Sequence, residues 1–234
     1  MNTPRYAIYF APEPGSLLDT FGRQWLGRDM SGNTADGQMT VPGVSRERLA
    51  QLTETPRRYG MHATLKPPFA LAPGATLEGL LAAARVLARG LAPIELPPLE
   101  LDVIGKFIAL APESSSAALE ALAASCVRAF EGYRLPLTPD QEAEYHANRL
   151  TVHQEQMLEH WGYPYVMEEF RFHITLTEPL LDAAEREVVL GALTRLAAPL
   201  LGQRIAVRAL TVFSQAGHRQ PMSLVARIPF GRAP

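Results

Sequence analysis

Two segments of this chain pair an imidazole with a hydroxyl in the same frame. Met61-His62-Ala63-Thr64-Leu65 returns as Phe172-His173-Ile174-Thr175-Leu176. Each copy has a proline six residues after its histidine (Pro68, Pro179), followed by an apolar residue (Phe69, Leu180). Strand side chains alternate faces, so His62 and Thr64 project to one side and Met61, Ala63 and Leu65 to the other. His173 and Thr175 are separated in the same way from Phe172, Ile174 and Leu176. Counted by twos, Lys66 and Thr177 continue the polar face, and Arg171 precedes it. Each strand thus offers an apolar face to a core and a reactive face to a cleft.

Two opposed imidazoles suit hydrolysis of a phosphodiester. With a reference pKa near 6.5, one ring can accept a proton at neutral pH while the other donates one. One histidine activates water and its partner protonates the departing oxygen. Thr64 and Thr175 hydrogen-bond the non-bridging phosphate oxygens as charge builds. Lys66 or Arg171 supplies positive charge. This scheme needs no metal and no cofactor. A lone His-x-Thr is usually a structural pair; two copies in one longer frame argue for a site assembled from two halves. Lys66, just before Pro67-Pro68, can also be read as snorkelling to water, and Arg171 as a strand-edge charge.

Other residues point less sharply. His146, His153 and His160 recur every seven residues within a helical stretch, about 10.5 Å apart along an unbroken axis, too far to share one ion. The stripe is either solvated or lines the substrate cleft. His218 is expected to be exposed in a hairpin turn. Cys126, the single cysteine, lies in an Ala-rich helical run and reads as packing. Tyr6, Tyr9, Trp25 and Phe107 are either core residues or rings that stack on a bound base, and Tyr9 is included among the substrate-binding candidates. No phosphate-loop motif is present.

These residues need elements to hold them. Residues 5–10 (RYAIYF) read as a strand, and 16–28 as an amphipathic helix. Residues 29–56 form a turn-rich insertion with a short helix after Ser45, of a kind that often serves as a flap. The first cassette strand is expected over 59–65, stopped by Pro67-Pro68. A helix over 77–89, strands over 99–104 and 107–110, and a helix over 116–132 follow. One helix is expected over 140–161, then the second cassette strand over 170–176, a helix over 182–196 and strands over 205–213 and 222–228. Cassette, helix and strand pair therefore occur twice in one order. The expectation is an α+β fold of two pseudo-symmetric lobes, each a mostly antiparallel sheet with flanking helices around a central cleft. The whole of 1–234 forms one bilobal domain, with lobe one at about 1–135 and lobe two at about 136–234.

The bulk numbers set limits. The chain has 234 residues, 47% hydrophobic and 20% charged, with a net charge of −2. That balance argues against an avid nucleic-acid coat, which needs a basic excess. From residue 188 onward stand Arg195, Arg204, Arg208, Arg219, Arg227 and Arg232 with no acidic residue; they are either solvated strand-edge charges or aids to binding a small anion. One cysteine, no signal-like start and no long apolar window predict a cytoplasmic protein that does not enter a membrane.

The paired cassettes, the duplicated order of elements and the length together resemble the 2H phosphoesterase superfamily. Its members include 2′,3′-cyclic phosphodiesterases, RNA ligase-like proteins and ADP-ribose 1″,2″-cyclic phosphodiesterases. The segments RYAIYF (5–10), WLGRD (25–29) and YGMHATLKPPF (59–69) look more narrowly like a bacterial branch associated with phosphonate-utilisation operons. The resemblance implies catalytic roles for His62 and His173 and phosphate-binding roles for Thr64 and Thr175. It also implies a small phosphorylated substrate, such as a ribose carrying a cyclic phosphate. Two alternatives stand beside it: processing of 2′,3′-cyclic phosphate RNA ends, and non-catalytic binding of a phosphorylated metabolite. Sequence assigns neither the acid nor the base, and no oligomeric state.

Overall fold

In a computed structural model, residues 3–33, 37–217 and 219–231 are described; His218 and Arg232 lie outside them. Strand β1 (Arg5–Phe10) leads into helix α1 (Leu17–Leu26), which starts where the Ser16 side chain accepts from the Asp19 amide and stops at Gly27, whose φ of 69° is the left-handed turn glycine tolerates. Its apolar stripe buries Leu18, Phe21, Trp25 and Leu26. Helices α2 (Arg46–Leu52) and α3 (Glu54–Tyr59) precede β2 (Ala63–Ala70), α4 (Leu77–Arg89), β3 (Ile94–Glu95), β4 (Leu99–Ile104), β5 (Phe107–Pro112) and α5 (Ala117–Phe130). Then come α6 (Pro139–His146), α7 (Val152–Trp161), β6 (Ile174–Thr175), α8 (Ala183–Ala197), β7 (Ala206–Val207), β8 (Ala209–Gln215) and β9 (Met222–Pro229). The fold is α+β, and all strand pairs are antiparallel.

The two sheets exchange strands. One has the order β2-β1-β8-β9, the other β4-β5-β6, and β3 with β7 makes a small link. Strands β4 and β5, which follow the first cassette, join the second cassette's β6. Strands β8 and β9, which follow the second cassette, join the first cassette's β2 through β1. The division into lobes at about residue 135 is therefore corrected: each sheet draws on both halves of the chain. The helices do not exchange, since α4 packs on β8 and β9 and α5 on β2, while α8 packs on β4. Both cassettes end up on edge strands, one per sheet, which leaves their faces free to meet.

Three local expectations also change. Strand β2 runs through Pro67-Pro68 instead of stopping there, because a sheet edge has amides that need no ladder partner. The helix expected over 140–161 breaks into two. Arg149 adopts a φ of 53°, and α7 restarts with Thr151 and Gln154 capping each other's backbone. The second cassette strand pairs over only Ile174–Thr175.

Among its described residues the insertion over 29–56 is a strap and does not line the cleft. The buried Arg28 guanidinium donates to the Arg57 carbonyl at 3.0 Å and the Met222 carbonyl at 2.7 Å. The Leu224 amide donates to the Met30 carbonyl at 3.2 Å, extending the β9 edge. Arg48 grips Glu185 of α8 with two bonds, at 2.6 and 2.8 Å. Cys126 is buried in α5, as its helical context predicts, and burial pushes its thiol up to about 12. No helix among the described residues is long and apolar enough to cross a membrane.

Candidate active site

The two cassettes repeat their burial as they repeat their sequence. Met61, Ala63 and Leu65 are buried, with His62 and Thr64 between them half-buried; Phe172, Ile174 and Leu176 are buried, with His173 and Thr175 half-buried. The apolar faces anchor the edges to the core and to each other. Phe10 of β1 packs on Phe172 with ring centroids 5.6 Å apart, and Trp25 Nε1 donates to the Leu176 carbonyl at 2.8 Å.

Each imidazole is oriented by the carbonyl two residues before it. His62 Nδ1 lies 2.8 Å from the Gly60 carbonyl, and His173 Nδ1 lies 2.8 Å from the Arg171 carbonyl. A carbonyl only accepts, so Nδ1 carries the hydrogen and Nε2 presents its lone pair to the cleft. At Gly60 the backbone adopts a φ of 80°, a conformation costly for any other residue. Aromatic rings brace both imidazoles: Tyr9 at 4.1 Å and Tyr59 at 5.9 Å from His62, and Phe107 at 5.8 Å from His173.

Burial, opposed by the Gly60 carbonyl and reinforced by the nearby His173 charge, pulls the His62 pKa down to about 4. Burial also lowers His173, against its bond to the Arg171 carbonyl and with help from the Arg171 charge. Part of the His62 depression thus comes from His173, so a proton on His173 opposes protonation of His62.

A cavity of about 490 Å³ opens beside His173, and His62 and Thr175 are not among its lining residues. Thr64 of the first cassette and His173 of the second both line it. His62 and Thr175 are the same-face neighbours of these residues, about 7 Å further along their strands. Among the described residues neither the Thr64 nor the Thr175 hydroxyl has a hydrogen-bond partner, so both can serve a ligand. Much of the rest of the lining is aromatic and apolar, with Phe107, Tyr163, Tyr165, Met167 and Phe170. Burial raises the Tyr163 hydroxyl, helped by its tyrosine neighbours, and keeps it neutral.

Three expected substrate-binding residues are corrected. Lys66 and Thr177, equivalent in the two cassettes, are both 1% exposed and both turned inward. In β2 a bulge intervenes, because Ile8 pairs with Lys66 and Tyr9 with Thr64, skipping Leu65. The count by twos fails there, and Lys66 Nζ enters α5 to meet Glu131 at 2.9 Å and the Val127 carbonyl at 3.2 Å. In the second cassette the Leu176 and Thr177 amides both point at the Ile108 carbonyl, and Thr177 Oγ1 accepts from the Ile108 amide at 3.0 Å. Tyr9, 1% exposed, lies beneath His62 and supports it. Arg171 does line the cavity, exposed and ion-paired with Asp102.

The cation that sequence reasoning missed is Lys106. It is exposed at the β4–β5 turn, lines the same cavity, and pairs with no carboxylate among the described residues. Gly105-Lys106 between two strands marks a hairpin tip, but nothing local says that the tip faces His173. The arginines after residue 188 do not reach the cavity, among the described residues; Arg208 faces Glu95 at 3.7 Å and Arg227 faces Glu13 at 3.0 Å. His146 and His153 pair with Glu155 and Glu168, and His160 packs on Trp161, so the stripe does not line the cleft. Of the rings considered for stacking, Phe107 lines the cavity while Trp25 is core. Among the described residues no cluster of His, Cys, Asp or Glu is arranged to hold a metal ion.

Residues 64–223 match the family model described as "Protein of unknown function (DUF1045)". Among curated proteins, the chain is 36% identical over 230 residues to a ribose 1,5-bisphosphate phosphokinase PhnN of Janthinobacterium sp. (strain Marseille), covering 97% of this chain and 51% of that protein. It is also 36% identical over 176 residues to the protein of the same name from Laribacter hongkongensis (strain HLHK9), covering 75% of this chain and 40% of that one. The chain thus spans about half the length, or less, of these relatives. Among solved structures, it is similar to E. coli LigT complexed with 3′-AMP, at 14% identity and a TM-score of 0.45, over 98% of this chain and 99% of that one.

Proposed function

The chain belongs to the family described as DUF1045, and from the paired cassettes we propose that it is a 2H-type phosphodiesterase that hydrolyses a small cyclic phosphate. The carrying observation is the presence of Thr64 and His173, from different sheets, in the lining of one cavity, with His62 the same-face neighbour of Thr64. A phosphorylated ribose bearing a cyclic phosphate is the substrate class favoured. The curated relatives are named for ribose 1,5-bisphosphate, which supports a sugar phosphate. Their kinase name belongs to proteins of about twice this length, and no phosphate-loop motif stands in this sequence.

In this reading His62, whose pKa is depressed most, is the base and takes a proton from water through Nε2. The oxygen attacks phosphorus, and the bond from phosphorus to one ribose oxygen breaks. His173, the ring that keeps its proton to higher pH, donates to that oxygen. The products are a phosphate monoester and a free hydroxyl. Thr64 and Thr175 donate to the non-bridging oxygens, and Lys106 with Arg171 offsets their charge. This chemistry is complete without a metal ion.

The aromatic wall of Phe107, Tyr163, Tyr165 and Phe170 favours a second version, in which the cyclic phosphate is carried by a nucleoside or an RNA end. Turnover of a ribose cyclic phosphate and of 2′,3′-cyclic AMP in EDTA tests both. Activity in wild type and its loss in His62→Ala and His173→Ala is expected. Full activity in both variants ends the assignment; binding without turnover of either compound turns the reading to a non-catalytic sensor.

A further inference from the structure

A second cavity, of about 340 Å³, lies on the other side of Pro67, which lines both. From its walls we propose a binding site for a phosphate monoester, separate from the paired histidines. Three cations line it, Arg5, Lys66 and Arg134. Two carboxylates oppose them: Glu144 on the wall, and Glu131, which holds Lys66 at 2.9 Å and Arg134 at 2.6 Å. Three cations against two carboxylates leave one positive charge over, and Arg5 is the cation with no carboxylate to hold it among the described residues.

Arg5 has no carboxylate partner among the described residues. Its Nε donates at 3.0 Å to Gln215 Oε1, a neutral and fully buried acceptor. Gln215 is itself fixed, because its amide nitrogen donates to the Gln220 carbonyl. The guanidinium is therefore aimed without being neutralised, the arrangement expected of a group that waits for an anion. Arg134 is aimed too. Its Nε and Nη2 are spent on Glu131, at 2.9 and 2.6 Å, while Nη1 keeps only a long contact of 3.5 Å to the Leu135 carbonyl. The guanidinium lies on Gly162, where an added Cβ would sit 2.7 Å from Nη1. Gln141 and Tyr145, near the start and the end of α6, add uncharged hydrogen-bonding groups to the wall.

The volume exceeds that of a bare phosphate and suits a phosphorylated small molecule. A phosphate monoester has two possible sources: a remote phosphate on the molecule hydrolysed at the histidines, or a separate phosphorylated ligand.

Calorimetric titration with ribose 5-phosphate, ribose and inorganic phosphate tests the site without any need for turnover. Ribose 5-phosphate is expected to bind at least about tenfold more tightly than ribose, and Arg5→Met or Arg134→Met to weaken it about tenfold or more, the scale of one charge-assisted bond. Circular dichroism and melting check that these variants fold. Glu144→Gln, at an exposed helix position, removes the one opposing wall charge and is expected to tighten binding about two- to fivefold. That opposite sign cannot come from damage to the fold. Absence of phosphate-dependent binding overturns the site. So does binding that His173→Ala removes and Arg5→Met leaves unchanged, which would put the ligand in the histidine cavity. Competition with a turned-over cyclic phosphate, and a rise in KM at constant kcat in Arg5→Met, identifies a remote substrate phosphate; binding without competition identifies a separate ligand. Loss of the hydrolase reading alone leaves the titration result standing.

Discussion

His62 and His173 are held by the same bond, each donating from Nδ1 to the carbonyl two residues earlier at 2.8 Å. Two rings on different sheets thereby share one tautomer and one exposed nitrogen. The backbone carbonyl here takes the place that a carboxylate takes beside many enzyme histidines, but with less charge. Neither ring gains the stabilisation of its protonated form that a buried carboxylate would give, and burial wins in both.

The division of labour makes the first prediction. Replacing either ring with alanine is expected to cut kcat on a cyclic phosphate by about 10²- to 10⁴-fold. On bis(p-nitrophenyl) phosphate, whose leaving group needs no proton, His173→Ala should recover most of its activity and His62→Ala should not. Equal losses of both variants on both substrates would reject the assignment of base and acid.

The second concerns pH. Both rings titrate below the usual 6.5 in the empty site, His62 at about 4. The singly protonated pair is then populated on the acid side, so kcat/KM should fall with rising pH through an apparent pKa below 6.5. A bound phosphate raises both rings, and the limb of kcat should lie at higher pH. A kcat/KM optimum above pH 7 would contradict the burial of the pair.

The same burial predicts a stability profile. The unfolded His62 binds a proton near pH 6.5, and the folded ring only near pH 4. The folded state is favoured above pH 6.5 and loses this advantage as the pH falls toward 4, on the order of 3 kcal/mol at the acid end. His173 contributes with the same sign. His62→Asn should therefore lose less stability between pH 6.5 and 4 than wild type in urea unfolding. Parallel curves for the two proteins would show that the ring is solvated.

How far these residues were legible depends on the range of the interaction that sets them. The cassettes, their alternation and most helix ends are local, and Ser16, Ser45 and Gly162 mark boundaries where capping chemistry puts them. The break after His146 was legible too: Thr138 with Gln141 and Thr151 with Gln154 are two capping boxes, and two boxes mean two helices. The strand exchange was not, since antiparallel pairing of β1 with β8 joins Arg5 to Gln215 across nearly the whole chain. Nor was the inward turn of Lys66. It depends on a bulge against β1, and a bulge is set by two strands together.

That inward turn yields the fourth prediction. Lys66 is buried and paired with Glu131, which Arg134 also holds. Lys66→Ala leaves a cavity but not an orphaned carboxylate, and should destabilise the fold by roughly 2–4 kcal/mol. The folded fraction should keep the KM of wild type on a cyclic phosphate that carries no second phosphate. A large rise in KM with unchanged melting would return Lys66 to the substrate.

Lys106 carries the opposite expectation. It sits at an exposed hairpin turn, pairs with no carboxylate among the described residues, and shares a cavity with His173 and Thr64. Removing it costs the fold nothing that packing supplies, so Lys106→Ala should melt within about 0.5 kcal/mol of wild type. A substrate phosphate, by contrast, would lose a charge-assisted bond worth about 1.5–3 kcal/mol, so KM should rise about ten- to a hundredfold. Lys106→Arg keeps the charge and should restore most of the loss, while Lys106→Gln should not. Added salt should weaken wild-type binding more than that of Lys106→Ala, because an exposed cation acts through a screened field. If KM is the same in all four proteins, the cation for the phosphate must come from Arg171, whose charge is already shared with Asp102.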